Sequence, residues 1–264
     1  MVTITDLNKM KTRGEKFTAL TAYDYSFAKI IESAGIEIIL IGDSLGNVCQ
    51  GHQTTIPVSI GDMVYHTASV SRGVKETFVI ADMPFLSYGT TQNALKNSSK
   101  LMQNGAKMVK LEGGHWLSET VYQMSERGIP VCGHLGLTPQ SVHKLGGYAI
   151  QGADSKAADK IFSDAMTLEQ AGAQLLVLEC IPSSLSKLIT KNLQIPVIGI
   201  GAGPCTDAQI LVLYDILGIP GQIPRFARNF LLDNNSILSA LKKYASAVRT
   251  ATFPTSEHFV EGQF

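Results

Sequence analysis

NGAKMVKLEGG, residues 104–114, decides the fold. A glycine closes one element, a short apolar run follows, and the run stops at charged residues and a second glycine pair. A glycine after a helical stretch fits the left-handed position that ends a helix. A run of five or so Val, Leu and Met residues fits a strand buried on both faces. The same punctuation recurs in AGIEIIL (34–40), RGIPVCG (127–133) and AGAQLLV (171–177). This is the helix-to-strand half of a βα unit, repeated along the chain.

Working outward, eight strands are predicted: 17–21, 37–41, 77–81, 107–111, 129–132, 174–178, 195–199 and 209–214. Helices are predicted over 25–34, 60–72, 91–104, 118–127 and 155–171, each followed by glycine (Gly35, Gly73, Gly105, Gly128, Gly172). Eight strands separated by helices predict one (β/α)8 TIM barrel spanning 1–264. A final helix over 237–251 makes a C-terminal extension, and PTSEHFVEGQF (254–264) reads as a surface tail. An open doubly wound sheet is the alternative. The absence of GxGxxG after the first strand and the count of eight disfavour it.

Composition narrows the function. The 264 residues carry 22 Lys+Arg and 22 Asp+Glu, so the formal net charge is zero, which argues against nucleic acid as a partner. Hydrophobic residues are 45% and charged residues 17%, which excludes disorder. No apolar run approaches a membrane span and no secretory leader is visible, so no membrane association and a cytoplasmic location are expected. Cys49, Cys132, Cys180 and Cys205 lie too far apart in sequence for a zinc motif and are expected to be reduced, mostly packed thiols, with Cys49, in the loop after Asp43, the one not assigned to the core.

In a βα barrel, reactive groups gather at the C-terminal ends of the strands. Here those ends read Asp43-Ser44, Asp82, Lys110 and Glu112, His134, Glu179, the glycines of IGIGAG (198–203), and Asp215. One acid alone could be a helix cap. Apolar strands that stop at ionisable residues one after another are not what stability requires, because buried charge is costly. Asp43 and Asp82 are hard oxygen donors from neighbouring strands and suit Mg²⁺; carboxylates alone do not separate Mg²⁺ from Mn²⁺. Lys110 and Glu112 are two apart and share a strand face. Gly199, Gly201 and Gly203 could cradle a phosphate or pack against an organic ligand. His52, His66, His115 and His143 have no partner at a telling spacing.

The runs GDSLGNVCQGHQTTIPVSIGDMVYHTASVSRG (42–73), DMPFLSYGT (82–90), KMVKLEGG (107–114), GIPVCGHLGLTPQSVHKLGGY (128–148), LLVLECIP (175–182), IPVIGIGAG (195–203), ILVLYDILG (210–218) and PRFARNF (224–230) resemble, in order, the ketopantoate hydroxymethyltransferase family. The resemblance covers about residues 3–232. That family looks like a distant relative of the isocitrate lyase and phosphoenolpyruvate mutase barrels. It implies transfer of a hydroxymethyl group from 5,10-methylenetetrahydrofolate to 3-methyl-2-oxobutanoate, giving 2-dehydropantoate for pantothenate and coenzyme A synthesis. It implies Asp43 and Asp82 as Mg²⁺ ligands, with Glu112 beside the metal through water. It implies Ser44, Lys110 and His134 as substrate contacts, Asp43 and Asp82 binding substrate through the metal, and Glu179 as general base. It also implies a homodecamer, a pentamer of dimers. One departure is visible: the family's Asp-Gly-Gln before the last strand is Asp207-Ala208-Gln209 here, and an alanine disfavours positive φ. Two other readings stand beside this one. A C–C lyase or mutase of the wider group would carry a KKCGH loop, which is absent. A barrel that had lost activity would lack Asp43, Asp82 or Glu179, and all three are present.

Overall fold

The computed structural model describes residues 1–262. In chain order the elements are α1 (Ile4–Arg13), β1 (Phe17–Thr21), α2 (Tyr25–Ser33), β2 (Ile38–Ile41), α3 (Leu45–Val48), α4 (Ile60–Ser71), β3 (Phe78–Asp82), α5 (Thr91–Gln103), β4 (Met108–Glu112), α6 (Ser118–Ser125), β5 (Val131–Gly136), α7 (Val142–Leu145), α8 (Ser155–Gln170), β6 (Leu175–Glu179), α9 (Ser183–Asn192), β7 (Val197–Ile200), β8 (Ala208–Leu211), α10 (Leu213–Ile216) and α11 (Ile237–Arg249). The eight strands pair in sequence order, all parallel, and β8 pairs back onto β1. This is a closed (β/α)8 barrel.

The apolar strands earn their places by being buried on both faces, as β1 (FTALT) and β4 (MVKLE) are along their whole lengths. The helices start where short polar side chains cap them. Asp154 accepts from the Ala157 N–H, and Ser59 and Asp62 form a reciprocal capping box. Of the five glycines expected to end helices in the left-handed conformation, Gly35, Gly105, Gly128 and Gly172 do so. Gly73 does not. A Cβ there would lie 2.7 Å from the Tyr25 carbonyl oxygen and 2.9 Å from Ala28 Cβ, so this glycine serves the close approach of α4 to α2.

Several expected boundaries move. β3, β4 and β6 each run one residue further, so Asp82, Glu112 and Glu179 are themselves the last strand residues. β5 runs on to Gly136 and carries His134 within it. The eighth strand is shorter than expected, because the chain coils at Leu213, and Asp215 therefore sits on α10 and not at a strand end. Ala208 lies within β8, fully buried and without positive φ, so the alanine at the family's glycine position carries no backbone strain. Five helices were not anticipated: α1, α9 and the three short helices α3, α7 and α10. α1 shows one buried residue, Leu7, and so a weak apolar stripe, while α9 begins at Pro182 without a side-chain cap.

The C-terminal helix α11 covers the seam where the barrel closes. The Tyr244 hydroxyl, fully buried, donates toward the carbonyl oxygens of Ala19 (2.9 Å) and Gln209 (3.0 Å), one on each side of that seam. The tail is not the free surface extension expected. The Ser183 N–H donates to the Val260 carbonyl (2.8 Å) and the Ser184 N–H to that of Glu261 (3.1 Å), which holds it against the start of α9. Gln263 and Phe264, part of that expected tail, lie outside the described residues. No described helix is long and apolar enough to cross a membrane.

Candidate active site

Strand register assembles the site. Asp82 stands opposite Lys110 across β3–β4, and Glu112 opposite His134 across β4–β5. Glu179 stands opposite Gly136, two residues beyond His134 and so on the same face of the sheet. Asp43 follows β2 directly, and its backbone N–H donates to Asp82 Oδ2 (3.0 Å). The sequence-predicted residues Asp43, Ser44, Asp82, Lys110, Glu112, His134 and Glu179 thus form one connected group at the C-terminal mouth. Asp215, from the eighth element, opens onto the same cavity.

The contacts are close and buried. Lys110 Nζ donates to Asp82 Oδ1 at 2.5 Å and lies 3.8 Å from Glu112 Oε1. His134 Nδ1 lies 3.2 Å from Glu112 Oε1. Its Nε2 lies 3.3 Å from Glu179 Oε2, yet without the alignment of a hydrogen bond, so this buried nitrogen is left without a partner. Asp43, Asp82, Lys110, Glu112 and His134 are all buried. A cavity of about 640 Å³ opens above them, lined among others by Asp43, Ser44 and Glu179.

Electrostatics follows from the crowding. Burial, and then the charges of Asp82 and Glu112, push the Asp43 carboxyl well above the usual carboxylate range. Burial and the Lys110 charge pull His134 down, but Glu112 and Glu179 outweigh them and hold it up at about 9, protonated at neutral pH. Burial works against the Lys110 ammonium too, and Asp82, Glu112 and Asp43 more than offset it, so its pKa rises. Glu112 is the reverse case. Burial raises it, while His134, Lys110 and the Gln140 N–H bring it below its ordinary value. The four carboxyl groups (Asp43, Asp82, Glu112, Glu179) outnumber the two cationic groups, Lys110 and His134, and the rise at Asp43 reflects that crowding, which a divalent cation would relieve.

Whether the residues suit Mg²⁺ rests on Asp43. One of its oxygens accepts from Gln140 Nε2 (2.8 Å); the other accepts no hydrogen bond among the described residues, although Asp43 lines the cavity. Among the described residues no three His, Cys, Asp or Glu side chains close around one point. Mg²⁺ does not need that, since it keeps several waters and takes one or two carboxylates plus substrate oxygens. The donor set fits.

Two contributors were not singled out from the sequence. Gln140, on the turn Pro139–Ser141, binds Asp43 through Nε2 and Glu112 Oε2 through its backbone N–H (3.0 Å). The Tyr88 hydroxyl donates to Gln140 Oε1 (2.5 Å), which fixes the amide. Tyr23 is the other, its hydroxyl 2.8 Å from Ser44 Oγ. Both lie outside strand ends, and only tertiary contact identifies them. His66 sits on α4, with Nδ1 2.6 Å from the Tyr23 carbonyl oxygen. Gly199, within β7, and Gly201 and Gly203 after it pack against protein: added Cβ atoms would meet Thr206 at Gly199, Cys180 and Phe226 at Gly201, and Ser183 at Gly203. None of the four cysteines is paired. Cys132 is buried and Cys180 partly so; Cys205 is exposed, contrary to the packed role expected of it, and Cys49, not assigned to the core, is exposed too.

The sequence profile of the ketopantoate hydroxymethyltransferase family matches residues 1–256. The chain belongs to that family. A 3-methyl-2-oxobutanoate hydroxymethyltransferase from Shewanella loihica is 58% identical over 97% of this chain and 98% of its own length. The protein of the same name from Shewanella oneidensis is 57% identical with the same coverage. The chain is therefore a hydroxymethyltransferase-family enzyme along almost its full length. Among solved structures, a phosphonopyruvate hydrolase complexed with oxalate and Mg²⁺ superposes with a TM-score of 0.64 at 14% identity, covering 98% of this chain and 93% of that one. A 2,3-dimethylmalate lyase of the PEP mutase/isocitrate lyase superfamily superposes at 0.61 with 18% identity, covering 84% of each chain. At these identities the likeness is one of fold.

Proposed function

We propose that this enzyme joins the one-carbon unit of 5,10-methylenetetrahydrofolate to C3 of 3-methyl-2-oxobutanoate. With uptake of water the products are 2-dehydropantoate and tetrahydrofolate, the entry to pantothenate and coenzyme A. The observation that carries this reading is a carboxylate, Glu179, facing the same cavity as Asp43 and Ser44 with the unpartnered His134 Nε2 beside it. The whole family match names the acceptor; the folate donor and Mg²⁺ belong to the proposal.

Asp43 and Asp82 would hold Mg²⁺, with Glu112 reaching it through water. When bound, the ion supplies Lewis-acid polarisation of the oxo acid, which acidifies its C3–H. A Mg²⁺–oxalate complex of a structural neighbour supports such an arrangement on this fold. Glu179 takes the proton from C3 as general base. Protonated His134, held from behind by Glu112, supplies positive charge near the oxo acid, with its Nε2–H left to meet it. Lys110 offsets the negative charge that develops on the enolate oxygen. Ser44, held by Tyr23, donates to the substrate carboxylate. Water releases the folate's methylene carbon as formaldehyde, breaking its two C–N bonds and leaving one proton on each nitrogen of tetrahydrofolate. The electron pair freed at C3 then attacks the formaldehyde carbon, and the alkoxide formed takes back the proton held by Glu179. For the assembly, we propose the homodecamer of the resemblance, which analytical ultracentrifugation tests directly: a monomer at micromolar concentration removes it.

The test separates the half-reactions. The oxo acid incubated with enzyme and Mg²⁺ in D₂O, without folate, should exchange its C3 proton, read by NMR, and EDTA should stop it. Glu179→Gln should lower that exchange at least 100-fold while the oxo acid still binds. Exchange that persists in Glu179→Gln removes Glu179 as the base, and exchange insensitive to EDTA and to Asp43→Ala removes the metal.

A further inference from the structure

One carboxylate at this cavity takes no part in the chemistry above. Asp215, on α10 just after β8, is 6% exposed and lines the cavity shared by Asp43 and Glu179. Among the described residues its side chain accepts no hydrogen bond and makes no ion pair, although its backbone N–H and carbonyl are both bonded within the turn. Arg225 lines the same cavity, but its Nε donates to the Glu257 carbonyl oxygen (2.8 Å) and no ion pair joins it to Asp215. Burial alone pushes the Asp215 carboxyl up to about 6, still below neutrality, so it is charged at pH 7.

A buried carboxylate without a donor is costly, and a site that leaves one facing a cavity is built for a ligand that brings N–H groups. The oxo acid brings none. It presents oxygens and carbon-bound hydrogens, and its own negative charge would be repelled. The cavity that Asp215 lines also has apolar walls, among them Val212, Pro224, Phe226 and Phe259, a lining suited to a flat ring. A carboxylate matches two parallel N–H donors best. The 2-aminopyrimidin-4-one edge of a pterin offers such a pair, the ring N3–H beside the 2-amino group.

We propose that Asp215 recognises the aminopyrimidinone edge of the folate co-substrate, accepting one hydrogen bond from N3–H and one from the 2-amino group. This assignment rests on the folate reading above. It places the pterin at the β8 side of the mouth, with its one-carbon unit toward Asp43 and Glu179.

The experiment measures tetrahydrofolate binding to the intact enzyme by calorimetry, with Mg²⁺ and oxo acid present. Asp215→Asn should bind at least tenfold more weakly, because the amide presents a donor toward donors. On the unaltered protein, 2-desamino-2-methyltetrahydrofolate should also bind at least tenfold more weakly than tetrahydrofolate, and this arm needs no variant to fold. The penalty for losing the 2-amino group should shrink below threefold in Asp215→Asn. If the analogue binds the unaltered protein as well as tetrahydrofolate does, or if Asp215→Asn keeps full affinity, the Asp215 assignment falls while the folate reading stands. If tetrahydrofolate does not bind the unaltered enzyme, the folate reading falls and Asp215 falls with it.

Discussion

Gln140 ties together two acids that would otherwise repel each other, through a side-chain bond to Asp43 and a backbone bond to Glu112. Its amide is in turn fixed by Tyr88 and by the Met83 carbonyl oxygen. Outer partners of this kind typically change metal affinity 10–100-fold when removed. Gln140→Ala should therefore raise the Mg²⁺ concentration needed for half-maximal C3–H exchange about 10–100-fold, with the fold intact by circular dichroism. Tyr88→Phe should move it in the same direction by less, since the amide loses only its clamp. At this scale the sequence was a good guide to strand-end acids, because an apolar run that stops at a charge is visible in one dimension. It was blind to Gln140 and Tyr23, which are ordinary polar residues on connecting segments until the barrel brings them against Asp43 and Ser44. The backbone adds one further mark: Cys180, next to Glu179, adopts φ +46°, a region that costs a non-glycine residue ~1–2 kcal/mol. Such strain beside the proposed base accords with a turn shaped for the site.

Elements were legible where a cap, a periodic face and a glycine agreed, and less so where one was missing. The eighth strand is the instructive case. ILVLYDIL reads as one continuous apolar run, and nothing local marks the point at Val212 where extended chain becomes a helical turn. That turn moves Asp215 from the row of strand ends onto a separate wall. The glycines show the same limit: the sequence does not separate a glycine used for its φ from one used for its size. Gly73→Ala should destabilise the protein by about 1–3 kcal/mol, because the new methyl presses on the Tyr25 carbonyl and Ala28 between α2 and α4. Gly128→Ala, at φ +75° with open space around the Cβ position, should cost only ~1 kcal/mol of backbone strain. Urea denaturation distinguishes the two, and equal losses would refute the packing explanation for Gly73.

At the scale of the whole molecule, the barrel count came from repetition, since eight strands with intervening helices leave few arrangements. The role of the C-terminus did not, because the tail's polar residues look like solvent-facing chain. Tyr244→Phe should lower stability by about 1–2 kcal/mol by leaving two buried carbonyls at the seam without their donor, read as a fall in the urea midpoint. Removing residues 255–264 should leave that midpoint nearly unchanged but weaken folate binding, because His258, Phe259 and Val260 form part of the cavity wall. The seam has another side. A ribosome makes β1 well before its partners β8 and Tyr244, and Tyr244 follows Ala19 by 225 residues. Until β8 emerges the growing chain holds an open sheet with two bare edges, and neither can be satisfied by waiting for a near neighbour. Closure joins segments separated by almost the entire chain, the kind of contact that folds slowly and exposes strand edges meanwhile. The nascent protein is thus most vulnerable to mispairing just before β8 emerges, and α11 is the clasp that ends that exposure.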